Sequence, residues 1–255
     1  MEITVLGSGT YQPELKRHCS GYLIKISRQN LVFDFGRGTL DQLLKLGINY
    51  FDIDSIFISH THADHCSELS SFLHITLARP PTAKFKERDL TIYGPKGLKK
   101  NLNHILRAFN LTKYWPLRNI KVKELVNNSV VKGKSWMVQS YIVKHSPTLN
   151  CLAFRLKSKN KILAYSGDTE DCLGLRKACK NADLAIIEAS NPKGFGSGHM
   201  TGEIVGQLAQ DSKLKKLILT HISPRYLKNF NVKKEVKKFY EGPVFIAKDL
   251  MKIKI

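Results

Sequence analysis

The sequence predicts an α/β fold in which β-sheets are covered by helices. Short runs of apolar and β-branched residues alternate along the chain with segments whose apolar residues recur at helical spacing. The chain has 255 residues, a length that can bury a sizeable core and that suits one large domain. Hydrophobic residues make up 42% of the chain and charged residues 24%, which is ordinary for a globular protein and argues against bulk disorder.

These patterns predict the elements in chain order. The strand candidates are residues 2–6, 21–26, 30–34, 55–59, 90–93, 136–143, 151–156, 161–166, 184–188, 216–220 and 244–246. The helix candidates are residues 38–46, 67–78, 97–109, 174–180, 201–211 and 232–240. In the third of these helices, Leu98, Leu102 and Ile105 lie on one face. The strand pattern restarts near residue 120, but no repeat or low-complexity linker separates two halves, so we expect residues 1–255 to form a single domain.

The sequence carries no pattern typical of membrane insertion or of a disulfide framework. No apolar run approaches the roughly 20 residues that span a bilayer, and the first residues lack the basic region of a signal peptide. The five cysteines are an odd number without disulfide spacing, and Cys66 has no CxxC neighbour. We therefore expect a cytoplasmic protein that makes no membrane contact.

The charge balance is strongly basic. Lys and Arg number 41 and Asp and Glu number 21, which gives a formal net charge of +20. Such a field attracts polyanions such as RNA and speeds their encounter with the protein. The opposing interpretation is a lysine-rich surface without a specific partner, since 31 of the 41 basic residues are Lys.

Four potential metal ligands lie within six residues after a predicted strand. His60, His62, Asp64 and His65 follow the apolar run 55–58 and precede a helix candidate. A loop in this position aims side chains at a point beyond the carboxyl end of the strand. His60 and His62 could share one ion, whereas Asp64 and His65 could serve a second. Imidazole and carboxylate ligands suit zinc, and also manganese or iron, so a mere polar turn explains this cluster poorly.

Three further candidates complete the coordination. His145, Asp168 and His221 each follow a predicted strand. A single histidine after a strand is usually a surface or packed residue. Three candidates in the same position instead favour a shared site beyond the ends of several strands.

The motif that begins at His60 resembles the HxHxDH signature of the metallo-β-lactamase superfamily. It reads His60-Thr61-His62-Ala63-Asp64-His65. The remaining ligands of that superfamily match His145, Asp168 and His221, and the resemblance runs from residue 5 to about residue 226. It implies a four-layer αββα sandwich, with two mixed sheets face to face, helices outside and the metals at one sheet edge.

Further motifs resemble the ribonuclease Z branch of this superfamily. They are Leu6-Gly7-Ser8-Gly9-Thr10, His145-Ser146, Ile187-Glu188-Ala189-Ser190, His199-Met200-Thr201 and Leu219-Thr220-His221-Ile222-Ser223-Pro224-Arg225-Tyr226. Two features depart from this branch. Only 22 residues separate His145 from Asp168, where ribonuclease Z enzymes often carry a long arm that grips tRNA. The histidine that usually precedes the glutamate at Glu188 is also absent.

The resemblance implies two divalent metal ions, with zinc expected and manganese or iron as alternatives. It assigns one ion to His60, His62 and His145 and the other to Asp64, His65 and His221, with Asp168 bridging the two. A pair of ions of this kind activates water for attack on a phosphodiester.

The resemblance also implies catalytic and substrate-binding residues. Asp64 would orient the attacking water, His199 would protonate the leaving oxygen or stabilise phosphoryl charge, and Glu188 would hold the ring of His199. The opposing interpretations are a loop histidine for His199 and an ordinary strand-end carboxylate for Glu188. The substrate-binding candidates are Ser146, Thr201 and Arg225.

Hydrolysis of a phosphodiester in RNA, including precursor tRNA, is the leading function on this resemblance. A phosphodiesterase for cyclic nucleotides or other small molecules is the alternative, and the missing arm favours it. A non-catalytic RNA-binding protein with a structural metal site is a third interpretation, but it predicts broken ligands and all seven are present. Lactamase and thioesterase activities fit the His199 motif less well. The branch is often dimeric, so by analogy we expect a homodimer.

Overall fold

Two seven-stranded sheets organise the chain in the computed structural model, which describes residues 1–77, 89–111, 119–192, 197–229 and 231–255. The first sheet contains β1 (Glu2–Gly7), β2 (Gly21–Ile26), β3 (Gln29–Phe35), β4 (Ile53–Phe57), β5 (Leu90–Pro95), β6 (Ile120–Leu125) and β14 (Lys252–Lys254). The second contains β7 (Val130–Lys132), β8 (Met137–Val143), β9 (Cys151–Ser158), β10 (Lys161–Tyr165), β11 (Leu184–Glu188), β12 (Leu217–Thr220) and β13 (Val244–Ile246). The α-helices are α1 (Thr39–Lys45), α2 (Ala63–Cys66), α3 (Leu69–Leu77), α4 (Leu98–Ala108), α5 (Leu173–Cys179), α6 (Gly202–Asp211), α7 (Pro224–Asn229) and α8 (Val232–Val236).

The two sheets are built to a similar plan. The strand order is β14-β1-β2-β3-β4-β5-β6 in the first and β13-β12-β11-β10-β9-β8-β7 in the second. Strands β3 to β6 are mutually parallel, as are β10 to β13, and the other neighbouring pairs are antiparallel. The carboxyl ends of parallel strands meet at one edge, where loops from several strands can bring side chains together.

Three apolar clusters define the layers between and around these sheets. Alternate residues of a strand face opposite sides, so Phe57 joins the cluster between the sheets while Ile56 packs outward with α1, α3 and α4. In the second sheet, Ile186 faces the inner cluster and Ile187 packs outward with α5, α6 and α8. The rings of Phe57 and Phe154 meet across the two sheets at 5.6 Å between centroids. Helices therefore cover both outer faces, which confirms the predicted αββα sandwich.

Several element bounds differ from the prediction. The helix predicted for residues 67–78 is α3, which begins at Leu69, and a separate short helix, α2, precedes it within the metal motif and is absent from the prediction; residue 78 lies outside the described residues. The helix predicted for residues 232–240 ends at Val236, after which the chain forms turns. Strands β6, β7 and β14 and helix α7 are absent from the prediction. Strands β7 and β14 and helix α7 are too short, at three to six residues, for periodicity to reveal them. Strand β6 alternates Lys with apolar residues and begins where the strand pattern restarts near residue 120, although it was not among the strand candidates.

Two further predictions concern the segment between His145 and Asp168 and the lack of a membrane-spanning helix. The two strands predicted between His145 and Asp168 are present as β9 and β10, joined by a two-residue turn at residues 159–160. Among the described residues, no helix combines the length and apolarity that a membrane crossing requires.

Candidate metal centre

The second sheet brings three of the predicted ligands to one edge. His145 follows β8, Asp168 follows β10 and His221 follows β12. Because β10 and β12 both run parallel to the intervening β11, their carboxyl ends bring Asp168 and His221 to the same side. The backbone of His221 has a φ of +51°, a left-handed conformation that is uncommon for a residue with a side chain. The chain therefore leaves the strand direction sharply at this residue, a local cost that is frequent at functional sites.

The first sheet supplies the other four predicted ligands through the segment after β4. His60 lies in the loop, His62 caps the start of α2, and Asp64 and His65 lie within this helix. His60 and His65 are fully buried and Asp64 nearly so. Burial of polar side chains is costly unless each has a hydrogen-bond or metal partner, so this cluster needs such partners.

The imidazoles of His60, His62 and His145 form a first group of potential metal ligands. Nε2 of His60 lies 3.0 Å from Nδ1 of His62, and Nε2 of His145 lies 3.1 Å from the same Nδ1. A neutral imidazole has one donor and one acceptor nitrogen, so three converging rings leave lone pairs that face a common point. This donor set fits zinc, which favours imidazole nitrogen.

A second group combines two imidazoles with two carboxylates. Its members are Asp64, His65, Asp168 and His221, and all four are buried. Nε2 of His221 lies 3.0 Å from Oδ2 of Asp64 and 3.3 Å from Nε2 of His65. Nitrogen and oxygen donors in this arrangement also fit a divalent cation.

Asp168 lies between the two groups. Its Oδ2 atom is 3.9 Å from Nε2 of both His60 and His145, and 3.5 Å from Nε2 of His221. Its Oδ1 atom is buried without a hydrogen-bond partner among the described residues, although Nε2 of His65 lies 3.3 Å away. A buried carboxylate oxygen left without such a partner is the expected mark of a missing cation, so the residues fit the metal ions that the resemblance implies.

The imidazoles and carboxylates of the cluster shift one another's pKa values. Burial, together with the neighbouring His65, holds the pKa of His60 well below its usual range. Burial also lowers the pKa of His65, but the carboxylates of Asp168 and Asp34 outweigh it and hold the pKa well above that range. Burial raises the pKa of Asp168, but His221 and His65 outweigh it and hold that pKa well below its range. The shift of His65 favours a proton on this ring in metal-free protein, and metal binding would compete with that proton.

Asp34 orients the metal-site loop, and sequence analysis missed it. Its Oδ2 atom lies 2.6 Å from Nδ1 of His65, and it accepts hydrogen bonds from the hydroxyls of Ser59 and Tyr165. Its Oδ1 atom accepts from the backbone N–H of Ser59. An acceptor at Nδ1 fixes the ring so that Nε2 faces the site. The signal in the sequence was an aspartate between two phenylalanines of an apolar strand, Phe33 and Phe35.

Two other histidines are held in the same manner. Nδ1 of His221 lies 2.8 Å from the hydroxyl of Ser190, which donates to the His221 carbonyl. Nδ1 of His145 donates to the carbonyl of Gly198 at 2.8 Å, if that nitrogen carries the proton. The N–H of Gly198 donates in turn to Glu170. The roles of Ser190 and Gly198 were not predicted, because a hydroxyl or a backbone carbonyl that orients a distant histidine leaves no recognisable pattern in the sequence.

His199 lies beside the metal ligands and is fixed by Glu188. Its Nδ1 atom is 2.8 Å from Oε1 of Glu188, and its ring centroid is 4.7 Å from that of His145. Burial lowers the pKa of His199, but the carboxylate of Glu188 outweighs burial and raises the pKa to about 9. The ring is partly exposed, so it can reach a bound molecule while remaining protonated in the absence of metal.

A cavity of about 400 Å³ opens onto these groups. Its lining residues are Tyr11, His62, Ala63, Asp64, His145, Asp168, His199 and His221. The volume suits a small ligand or one residue of a larger one. The arrangement therefore presents cation ligands, a protonated imidazole and one aromatic ring to the same space.

The three predicted substrate-binding residues differ in what the structure describes. The Ser146 hydroxyl lies 3.1 Å from that of Thr148 in the loop after β8. The Thr201 hydroxyl caps α6 by accepting from the N–H of Ile204. Arg225 begins the helix α7 segment after Pro224, but its side chain lies outside the described residues. For these residues, substrate binding stays a prediction.

The chain is similar to known proteins over almost its whole length. The profile of the family described as Anti-Pycsar protein Apyc1 matches residues 1–242. Ribonuclease Z from Methanosarcina acetivorans is 30% identical over 311 aligned positions, which cover 100% of this chain and 98% of that relative. Human tRNase Z, short form, is 25% identical with a TM-score of 0.80, covering 100% of this chain and 99% of its own. YhfI from Bacillus subtilis, a metallo-β-lactamase fold protein, is 22% identical with a TM-score of 0.81 and 99% coverage of both chains.

The aligned lengths agree with the absence of a long arm. The alignment with the Methanosarcina protein has 311 positions and this chain has 255 residues, so at least 56 positions face gaps in this chain. The match nevertheless covers 100% of this chain. The chain belongs to the family described as Anti-Pycsar protein Apyc1, within the ribonuclease Z-like branch of the metallo-β-lactamase superfamily, and it is a metal-dependent hydrolase.

Proposed function

We propose that this protein hydrolyses phosphodiester bonds in RNA at a centre of two divalent metal ions. The observation that carries the proposal is the position of His199. Its ring nitrogen, a nitrogen of His145 and an oxygen of Asp168 all lie within 4.8 Å of one another, and His199 faces the same cavity as the metal ligands. A proton donor beside a cation site suits departure of an alkoxide from phosphorus, which needs protonation of the leaving oxygen.

Each group in the cavity has a role in this proposal. His60, His62 and His145 would hold one ion, Asp64, His65 and His221 would hold the second, and Asp168 lies within reach of both groups. Bound divalent ions supply Lewis acidity and activation of water, and zinc is the ion that the donor set favours. The Asp64 carboxylate accepts a hydrogen bond from the attacking water and orients it. His199 delivers its proton to the leaving oxygen, and Glu188 keeps the ring aligned and stabilises its charge.

RNA is the substrate class that the curated relatives and the charge support. Relatives that match this chain over its whole length carry the name ribonuclease Z, among them proteins from Methanosarcina acetivorans and Methanosarcina mazei. A formal net charge of +20 favours association with a polyanion through release of counterions.

A small cyclic phosphodiester is the second candidate substrate, and one observation favours it. The segment between His145 and Asp168 is a β9–β10 hairpin with a two-residue turn, so it offers no arm to grip a folded RNA. The cavity of about 400 Å³ is large enough for one nucleotide.

Direct comparison of the two substrates tests the proposal. Zinc- or manganese-loaded protein is incubated with a precursor tRNA and, separately, with 3′,5′-cyclic nucleotides, and the products are mapped. Cleavage of the precursor at its 3′ side supports the leading function, whereas opening of the cyclic diester alone supports the second. The His199→Ala protein is the control, because cleavage by a contaminating nuclease would survive that change. Absence of both activities in metal-loaded protein would refute phosphodiester hydrolysis.

The assembly and cellular setting of the protein stay predictions. A homodimer is expected by analogy, and light scattering of the purified protein checks it. A cytoplasmic setting agrees with five free cysteines, three of which are buried.

A further inference from the structure

Tyr11 occupies an unusual position at the metal cavity. It lies in the loop between β1 and β2, lines the cavity with the metal ligands and His199, and has 75% of its surface exposed. Among the described lining residues it contributes the one ring that is not an imidazole. Exposure of a large ring at a site mouth leaves apolar surface in water, a cost that a bound partner can remove.

The loop that carries Tyr11 is held from the far end of the chain. Oδ1 of Asp249 accepts hydrogen bonds from the N–H and the hydroxyl of Ser8, at 2.9 and 2.8 Å. Oδ2 of Asp249 accepts from the N–H of His18 at 2.8 Å and lies 2.6 Å from Nδ1 of the same residue. One carboxylate, with 9% of its side chain exposed, thus fixes both sides of the loop.

The backbone next to Tyr11 is fixed as well. The hydroxyl of Thr10 accepts from the N–H of Gln12, and the carbonyl of Thr10 accepts from the thiol of Cys19. The N–H of Gly9 donates to the carbonyl of His18 at 2.7 Å, which closes the base of the loop. An aromatic side chain has only two rotatable side-chain bonds, so on a fixed backbone it loses little entropy when it binds a flat partner.

The chemistry of the cavity defines what such a partner contains. A cation held by the ligands of the cavity would attract a phosphoryl group and His199 could donate a hydrogen bond to it, whereas the ring of Tyr11 offers an aromatic face. A nucleotide combines these two properties, because every nucleobase has a π-face and is joined to phosphate through a sugar. Stacking on an aromatic side chain tolerates any base, which suits a substrate recognised without a fixed sequence.

We propose that Tyr11 is a substrate-binding residue that stacks on the nucleobase next to the phosphate held at the metal centre. This inference rests on the proposed function in so far as it assumes a nucleotide substrate. It adds a base subsite whose platform is set by Asp249 and the loop of residues 8–18.

Binding of two matched ligands tests the base subsite without requiring turnover. The metal-loaded protein is titrated calorimetrically with adenosine 5′-monophosphate and with ribose 5-phosphate, which carries the same phosphate and sugar but no base. Contacts to phosphate are common to both ligands, so the ratio of the two dissociation constants measures the contribution of the base to affinity. We expect the nucleotide to bind about 5- to 150-fold more tightly, the range that a stacked base contributes.

Three variants separate stacking from a change in the loop. Tyr11→Ala should bring the ratio close to one, whereas Tyr11→Trp should preserve it, since tryptophan also offers an aromatic face. Leu15→Ala is the matched control, because Leu15 lies in the same loop, is fully exposed and does not line the cavity. The control should leave the ratio unchanged.

Two results would overturn the base subsite. One is a ratio near one in the unchanged protein, and the other is a nucleotide preference that survives Tyr11→Ala. Both are distinct from failure of the proposed function, which shows as absence of hydrolysis of precursor tRNA and cyclic nucleotides by the unchanged protein.

Discussion

Nδ1 of His199 lies 2.8 Å from Oε1 of Glu188, a carboxylate that is itself fully buried. The same carboxylate accepts hydrogen bonds from the backbone N–H groups of Thr169 at 3.0 Å and Ser190 at 2.9 Å. Three polar contacts therefore hold the Glu188 carboxylate in one orientation. Thr169 and Ser190 follow β10 and β11, two of the strands at the edge where the metal cluster lies. Their N–H groups therefore hold the Glu188 carboxylate, and with it the ring of His199, beside the cluster.

The pKa of His199 should depend on this carboxylate. In metal-free protein we expect a pKa of about 9, and Glu188→Gln should lower it, since burial and His65 would then be opposed by Asp168 alone. A raised pKa means that folding strengthens proton binding. The contact should therefore stabilise the metal-free protein fully below about pH 6.5, and the contribution should be lost as pH rises through about 9.

Histidine NMR titration of protein treated with a chelator measures this pKa. His74 lies on α3 outside the metal cluster and provides an internal reference. Retention of a pKa near 9 in Glu188→Gln protein would show that Glu188 does not control the ring.

Replacement of His199 should reduce turnover rather than metal content. His199→Ala keeps all seven predicted ligands, so bound metal should change little, whereas loss of the contact with buried Glu188 should lower the unfolding temperature. Turnover of RNA should fall about 10²- to 10⁴-fold, as for loss of a general acid. The loss should be smaller for bis(p-nitrophenyl) phosphate, because p-nitrophenolate leaves without protonation. Equal losses on the two substrates would instead assign His199 to charge stabilisation.

Asp168 should control metal content. The purified protein loaded with zinc should hold close to two ions per chain, and Asp168→Ala should lose metal because its carboxylate lies within 4 Å of ligand nitrogens in both groups. Elemental analysis after gel filtration measures this content. Asp249→Ala is a suitable comparison, since that carboxylate fixes a loop near the cavity but belongs to neither group of ligands. A metal-free protein after loading would contradict the proposed centre.

Salt should distinguish a polyanionic substrate from a small one. With a formal net charge of +20, the dissociation constant for RNA should rise steeply as the salt concentration increases, because binding releases counterions from phosphate. Hydrolysis of bis(p-nitrophenyl) phosphate should respond far less. Filter binding and initial rates at 50 to 300 mM salt, on the order of the physiological range, give the two slopes. Parallel slopes would argue that RNA makes no extended contact.

The sequence could predict the metal cluster because its chemistry is local or tied to strand ends. His60, His62, Asp64 and His65 lie within one turn and loop, and His145 repeats the same placement after another strand. The way in which these ligands divide between two groups came from the resemblance, because spacing along the chain does not show which ring nitrogens meet. The structure brings them together in groups that agree with that division.

The residues that support the ligands could not be predicted in the same way. Asp34 precedes its partner His65 by 31 positions, and Ser190 precedes His221 by 31, so neither pair leaves a local pattern. Tyr11 was also missed, because an exposed aromatic residue in a loop gains meaning only when the fold places it at a cavity. Strand β14 is missing from the prediction for a related reason: three residues of alternating Lys and Ile become a strand by pairing with β1.

The last prediction concerns Asp34, the buried acceptor behind His65. Asp34→Asn keeps the shape of the side chain but replaces one carboxylate oxygen with an NH₂ group. Oδ2 now receives the hydroxyls of Ser59 and Tyr165 and faces His65, so an NH₂ group there would meet donors, and the alternative amide orientation would meet the backbone N–H of Ser59. Either orientation disturbs the ring of His65, and loss of such an orienting partner typically weakens metal binding about 10- to 100-fold.

Asp183→Asn is the matched control for this change. Asp183 is also a buried carboxylate, but it accepts from the N–H of Ile162 and from Lys215 at the amino ends of β10 and β11, away from the cluster. Both variants should lower the unfolding temperature of metal-free protein, since each removes a buried charged acceptor. Only Asp34→Asn should raise the zinc dissociation constant, measured by competition with a chelator. Equal zinc affinity in the two variants would mean that Asp34 supports the fold and not the metal centre.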